Sequence, residues 1–304
     1  MGRKLSVELA RLRLANPTML AAGILGLTSL SLKRTAEAGA GAVVTKSVGL
    51  KPRMGYANPT VVQTDCGILN AMGLPNPGID YFAKEIHEAK TIGCPIIVSV
   101  YGFSVEEFVE VAKKAEEAGA DALELNVSCP HVEKTGSEIG QDPKLLKTIV
   151  KVVKKEVNKP VFVKLTPNVT DIVECARVAE EGGADAITAI NTVRAMAINA
   201  ETAKPILGNK FGGLSGPAIK SIALRCVYEI YREVKVPVIG CGGVSDWRDV
   251  VEFMLAGATA VQIGTAIAFK GLEVFQSINK GIEAYLETRG YKNVREIVGL
   301  SHRC

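Results

Sequence analysis

Eight short apolar runs recur along the chain, at Met19–Ala22, Ala42–Thr45, Ile96–Val100, Ala122–Asn126, Val161–Leu165, Ala186–Asn191, Val236–Gly240 and Ala260–Gly264. They are rich in Val, Ile and Ala and lack the polar alternation of a half-exposed strand, so they read as strands buried on both faces of a parallel sheet. Helix-length stretches separate most of them. Within Ser104–Glu117, the residues Val105, Phe108, Val109, Val111 and Ala112 fall at helical spacing, and Ile149, Val152 and Val153 do the same before Lys159 and Pro160. A weak internal repeat supports this alternation. AEAGAGAVV from Ala36, AEEAGADALEL from Ala115, AEEGGADAITA from Ala179 and MLAGATAVQIG from Met254 each close a helix on glycine and enter a strand. Eight strand-helix units predict the α/β class and, within it, a (β/α)8 TIM barrel. Ahead of the first unit, Val7 with Leu9 and Leu12 with Leu14 alternate as a short β-hairpin at the barrel bottom. No GxGxxG follows the first strand, which argues against a Rossmann dinucleotide site.

Composition narrows this picture. The 304 residues suit one barrel domain spanning 1–304, and 47% hydrophobic with 5% aromatic content fits an aliphatic sheet under helices. The formal charge of +4 is spread along the chain without a basic block, so no nucleic-acid footprint is expected. Seven cysteines include no CxxC pair, which argues against bound zinc or a cysteine-held cluster and predicts reduced thiols in the cytoplasm. The N-terminal MGRKLSVELARLRLANP holds no apolar stretch long enough for a signal peptide or a membrane span.

In such a barrel the active site is built where the strands end. The fourth strand ends in ELNVSCP, which delivers Asn126 and then Cys129 to that face. Two roles are open to Cys129: a base or nucleophile, or a small buried hydrophobe. Lys46 and Ser47 follow the second strand, and Asn191 and Thr192 close the sixth. Lys164 lies inside the apolar VFVKL, where an unpaired ammonium is costly, so it is expected to face a ligand. A lysine Schiff base is the chemical alternative, and snorkelling to solvent the structural one. Gly242 and Gly243 end the seventh strand, and Gly264 and Thr265 the eighth, where barrels bind phosphate through backbone N–H groups. As an alternative, these glycines only make turns and caps. CPHVEKTGSEIGQDP after the fourth strand is long and polar, and reads as a lid ahead of a helix starting at Asp142 and Pro143.

The chain resembles the FMN-dependent dihydroorotate dehydrogenases, specifically their soluble cysteine-base class. Nine strings carry the likeness: NPTMLAAG at Asn16, TKS at Thr45, NAMGLPNPG at Asn70, NVSCP at Asn126, VKLTPN at Val163, INT at Ile190, GGLSGPA at Gly212, GCGG at Gly240 and IGT at Ile263. The resemblance implies that Cys129 takes the C5 proton of dihydroorotate while the C6 hydride passes to FMN, giving orotate. It implies substrate contacts from Lys46, from Asn70, Ala71, Met72, Gly73 and Leu74, and from Asn126, Asn191 and Thr192. It implies one FMN per chain, lined by Ala22, Lys46, Ser47, Ser99, Asn126, Ile190 and Gly216. Lys164 is then placed at the N1/O2 edge of the flavin, with Gly242, Gly243, Gly264 and Thr265 at its phosphate. His131 stands where many members of the family carry asparagine, and Ser99 where asparagine is common. The lid and the SGPAIK stretch resemble the subclass that homodimerises, pairs with an iron-sulfur subunit carrying FAD to form a heterotetramer, and uses NAD. The fumarate-linked homodimer is the alternative for the acceptor, and a flavin barrel acting on another pyrimidine the alternative for the substrate.

Overall fold

Parallel pairing closes the eight predicted runs into a barrel. The computed structural model describes residues 4–128 and 139–303. Its barrel strands are Thr18–Leu20 (β1), Ala42–Val44 (β2), Ile96–Val100 (β3), Ala122–Asn126 (β4), Val161–Leu165 (β5), Ala186–Ala189 (β6), Val238–Cys241 (β7) and Ala258–Ile263 (β8). Each pairs with the next in parallel, and β8 returns to β1. All residues of β3 and β5 are buried, one face toward the barrel interior and the other under the helices, which explains why the sequence shows continuous rather than alternating apolar character.

Several bounds differ from the sequence expectation for local reasons. β7 begins at Val238 because Pro237 has no N–H to give the ladder; its carbonyl instead accepts from the Ile187 N–H at 3.0 Å. β1 ends at Leu20, with Ala22 only in an isolated bridge to Leu25. β6 stops at Ala189, so Ile190 and Asn191 belong to the loop at the barrel mouth.

The helices start on side-chain caps. Ser104 accepts from the Glu107 N–H at 3.2 Å ahead of the helix Val105–Glu117. Asp142 accepts from Lys144 and Leu145 N–H groups ahead of Pro143–Glu156, with Pro143 at the first turn where its missing donor costs nothing. The glycines of the four-fold repeat follow helix ends, and Gly39, Gly119, Gly183 and Gly257 have φ of 100°, 106°, 98° and 116°. Left-handed geometry of this kind explains why each repeat carries glycine there.

Two further features flank the barrel. Val7–Leu9 and Leu12–Leu14 form the expected antiparallel hairpin, with Val7, Leu9 and Leu14 buried, and it packs against β8. A four-stranded antiparallel sheet was not expected. Its order is Val193–Met196, Phe211–Ser215, Gly67–Asn70, Val61–Thr64, drawing two strands from the β2–β3 connection and two from the β6–β7 connection. It has its own small apolar cluster of Leu69, Ala71 and Leu207. Among the described residues no helix is long and apolar enough to cross a membrane.

Candidate active site

The strand ends converge on a ring of hydroxyls and amides at the carboxyl mouth of the barrel. The Ser99 and Ser47 hydroxyls, from β3 and the loop after β2, lie 2.8 Å apart, and Asn126 Nδ2 donates to Ser47 Oγ at 3.2 Å. Asn191 Nδ2 donates to Asn126 Oδ1 at 3.2 Å and to Ser128 Oγ at 3.0 Å, which closes the line from β3 across β4 to the loop after β6. Asn191 Oδ1 accepts the Thr192 N–H at 2.8 Å, and Asn168 Nδ2 donates to the Thr192 carbonyl at 3.1 Å. These groups are neutral and each side chain both donates and accepts, so they can exchange partners with a ligand that carries alternating N–H and C=O groups.

Beneath the ring lies a charged layer. Glu124 and Asn126 are two residues apart on β4 and so face the same side, Glu124 one pleat deeper. Gln262 on β8 donates to Glu124 Oε2 at 2.5 Å, and Thr188 on β6 donates to the same oxygen at 2.9 Å. Bonds from β4 to β8 across the barrel and to β6 past β5 require all three side chains to point inward. Lys164 joins them: its Nζ donates to Gln262 Oε1 at 2.8 Å and lies 3.7 Å from Glu124 Oε1. Lys164 is 4% exposed and Glu124 0%, so the pair is withdrawn from solvent. Burial alone pulls the Lys164 ammonium down, but Cys241 and Glu124 beside it outweigh that and hold it above the ordinary lysine value. Burial pushes the Cys241 thiol up, against the opposing pull of Lys164.

At the rim, Lys46 Nζ donates to the Gly23 carbonyl at 3.3 Å and has no ion pair among the described residues. Burial pulls its ammonium below the ordinary lysine value. A half-buried, uncompensated cation at the rim suits an anionic substrate group. The Asn70–Leu74 segment reaches the same rim from the second sheet. Asn70 Nδ2 donates to the Gly213 carbonyl at 3.2 Å, and a Cβ on Gly213 would lie 2.0 Å from Thr192 Oγ1, so Asn70 and Thr192 flank one strand. Arg53 Nε donates to the Gly73 carbonyl and Asn76 Nδ2 to the Leu74 carbonyl, which pins the segment.

At the carboxyl ends of β7 and β8, three backbone turns cluster. Gly243 has φ 77°, and a Cβ there would lie 2.7 Å from the Lys220 N, so the loop after β7 touches the start of the helix Lys220–Tyr231. Thr265 Oγ1 donates to Ser215 Oγ at 2.8 Å, and a Cβ on Gly216 would lie 3.3 Å from Thr265 Cγ2. Among the described residues, a Cβ on Gly264 would meet Ala21 Cβ alone, at 3.3 Å. Ile190 borders this cluster: its N–H donates to the Cys241 carbonyl at 2.8 Å, and its Cγ1 lies 3.5 Å from where a Cβ on Gly242 would stand.

Residues 4–286 match the sequence model of dihydroorotate dehydrogenase. The chain is 53% identical to a Methanosarcina acetivorans protein over 99% of its own length and 98% of the relative's. It is 52% identical to a protein of Methanothermobacter thermautotrophicus over 98% of each chain, and 50% identical to one of Pyrococcus furiosus over 98% and 99%. All three relatives are named dihydroorotate dehydrogenase B (NAD(+)), catalytic subunit.

The chain belongs to the dihydroorotate dehydrogenase family.

As a dihydroorotate dehydrogenase it is an oxidoreductase, and the residues expected from the sequence divide clearly in space. Ser47, Ser99, Asn126, Asn191 and Thr192 meet in the ring, Lys46 and Asn70–Leu74 stand at the rim, and Gly216, Gly242, Gly243, Gly264 and Thr265 form the turn cluster. Ala22 lies next to the Gly23 carbonyl that Lys46 meets. Cys129 and His131, with most of the expected lid, lie outside the described residues; Ser128 is the last described residue before them. Sequence reasoning missed Glu124, Gln262 and Thr188. The signal that found Lys164, a polar residue inside an apolar strand, is equally present in ALELN and AVQIG.

Proposed function

We propose that this protein oxidises dihydroorotate to orotate in pyrimidine biosynthesis, with FMN bound in the barrel mouth and a second subunit receiving the electrons. The observation that carries the reading is the neutral ring of Ser47, Ser99, Asn126 and Asn191 seated above a buried ammonium. The donor set fits a phosphate-bearing flavin. Gly243 and Gly264 offer backbone N–H groups at the ends of β7 and β8, at turns where the first has no room for a side chain. Ala22, Ser47, Ser99, Asn126, Lys164, Ile190, Gly216, Gly242, Gly243, Gly264 and Thr265 would hold the cofactor. Bound flavin supplies the hydride acceptor that the side chains of this chain lack.

The chain's own residues then do the rest. Lys46 pairs with the substrate carboxylate, while Asn126, Asn191, Thr192 and the Asn70–Leu74 segment meet the N–H and C=O groups of the ring and fix its face. Cys129, three residues past the end of β4, removes the C5 proton. Its thiol has a reference pKa of ~8.5, so proton removal quickens as the pH rises. Lys164 presents a fixed positive charge to the cofactor, so negative charge arriving there is stabilised without reorganisation. The relatives' names, which give NAD(+) and catalytic subunit, support a partner subunit and NAD as the final acceptor; in this proposal the partner carries FAD and an iron-sulfur cluster, and the pair works in the cytoplasm.

The test is a titration of the purified protein with orotate. The expected protein is yellow, releases FMN on denaturation, and shows a visible-band shift on orotate addition that weakens about 10- to 100-fold in Lys46→Met, as expected for losing a charge-assisted contact. A colourless protein that takes up no FMN would overturn the flavin assignment, and an unchanged orotate affinity in the variant would overturn the role of Lys46.

A further inference from the structure

Glu124 is a carboxylate at the centre of a barrel, and only one of its oxygens is satisfied. Oε2 accepts from Gln262 Nε2 and Thr188 Oγ1, whereas Oε1 is buried without a hydrogen-bond partner among the described residues. A buried acceptor left unsatisfied costs about 1–3 kcal/mol, so a purely structural Glu124 is a poor solution. What Oε1 faces is Lys164 Nζ, at 3.7 Å, too far for a hydrogen bond but close for a charge. Gln262 sets that gap. Its amide nitrogen is committed to Glu124 and its oxygen to Lys164, so it bridges the two ions and keeps them from collapsing onto each other.

The groups around Lys164 identify its counter-charge. Glu124 comes from β4, Cys241 from β7, and the neutral Gln262 from β8; Thr188 and Asn126 are its register neighbours on β6 and β4. Burial holds Cys241 as a neutral thiol. Below the raised titration of that thiol, the negative charge facing the ammonium is that of Glu124. An ammonium has three N–H donors. Here Gln262 takes one at 2.8 Å, the Cys241 sulfur is a second neighbour, and the carboxylate stands back at 3.7 Å.

We propose that Glu124 is a positioning residue, whose carboxylate keeps Lys164 an ammonium while the Gln262 bridge holds it at a distance that leaves a donor for the cofactor. The proposal rests on the flavin reading above, and it sets the flavin's readiness to accept electrons through a residue that does not touch it.

The experiment uses the flavin-loaded enzyme and its isosteric variant Glu124→Gln, with two readouts that are not activity. The first is the titration of Lys164, followed by the 13C shift of its Cε and assigned with a Lys164 variant. The second is the flavin midpoint potential as a function of pH. In Glu124→Gln the lysine is expected to titrate more than about one pH unit lower, because a buried ammonium without a counter-charge gives up its proton. The potential gains a break at that pH. Below it the variant lies above the wild type, since an uncompensated positive charge remains; above it the variant lies below, since the lysine is neutral. Cys241→Ser, which keeps a neutral hydrogen-bonding group beside the ammonium, is expected to lower the Lys164 titration less than Glu124→Gln does. An unchanged lysine titration in Glu124→Gln, or an equal fall in Cys241→Ser, would overturn the proposal.

Should Glu124→Gln fail to fold, the neutral pair Glu124→Gln with Lys164→Met decides. Recovery of folded protein would show that the unpaired ammonium was the fault, because removing both ions of a buried pair is far milder than removing one. Failure of the double variant as well would assign Glu124 a structural role and overturn the proposal. A protein that binds no flavin but still shows the lowered lysine titration would refute the function proposed above and leave the link between Glu124 and Lys164 standing.

Discussion

The ring at the barrel mouth and the layer one pleat below it are built from the same strands by opposite rules. Ser47, Ser99, Asn126, Asn191 and Thr192 are uncharged, only partly withdrawn from solvent in several cases, and joined by single bonds of 2.8–3.2 Å that a ligand can replace. Glu124, Lys164, Thr188 and Gln262 are all buried, include two full charges, and are bonded to one another across the barrel. Two positions on β4, Glu124 and Asn126, thus separate a fixed electrostatic floor from a neutral layer whose bonds a ligand can replace. Charge is costly to move in a dry interior and cheap to hold once paired, whereas neutral amides tolerate re-pairing, so each layer uses the chemistry its task requires.

The sharpest way to break the contrast is to unpair the floor. Lys164→Met leaves the Glu124 carboxylate buried without its ammonium, and a loss of about 3–5 kcal/mol in stability is expected from denaturant unfolding. That contribution has a pH signature. The Lys164 pKa is raised in the folded state, so its stabilisation is complete below the unfolded lysine pKa of ~10.4 and fades as pH rises through the higher folded value. A wild-type stability that is flat across this alkaline range would contradict the pairing.

At the rim the larger effect falls on binding. Lys46→Met is expected to raise KM for dihydroorotate about 10- to 100-fold with little loss of stability, because burial already disfavours its charge. In the wild type, kcat/KM is expected to rise with pH as the proposed base Cys129 loses its proton and to fall again as Lys46 does, at a pH below that of an ordinary lysine. The variant loses the alkaline fall. Within the ring the effects are smallest. Asn191→Ala removes bonds to Asn126 and Ser128 and is expected to cost about 1 kcal/mol in unfolding free energy, while KM rises several-fold. If Asn191→Ala proved as destabilising as Lys164→Met, the two layers would not differ as described.

The barrel was legible because its strands are buried on both faces and its helices end on glycine, and both leave marks in sequence. The three AGA repeats and the one GGA repeat correspond one for one to the left-handed glycines Gly39, Gly119, Gly183 and Gly257. The four-stranded sheet left no such mark. Val61–Thr64 and Phe211–Ser215 are short and largely exposed or half-buried, and the latter opens with FGG, so neither shows a buried periodicity. Of the site, the strand-end residues were legible because polar groups at the ends of apolar runs stand out. Glu124 and Gln262 were not singled out, since their partners lie 138 residues apart in the chain and the closure that joins them is a property of the whole barrel. The positioning role of Asn76, whose Oδ1 accepts from Gly49 and Gly78 and whose Nδ2 reaches Leu74 and Tyr101, is likewise invisible within NAMGLPNPG.

The most direct test of the account is the visible absorbance of the purified protein during anaerobic addition of dihydroorotate, with Cys129→Ser alongside. Rapid bleaching of the wild type is expected, with bleaching slower by roughly 10²- to 10⁴-fold in the variant, as for loss of a well-placed base. A wild-type protein that binds flavin yet stays yellow would contradict dihydroorotate as the substrate, and a variant that bleaches as fast as the wild type would contradict Cys129 as the base.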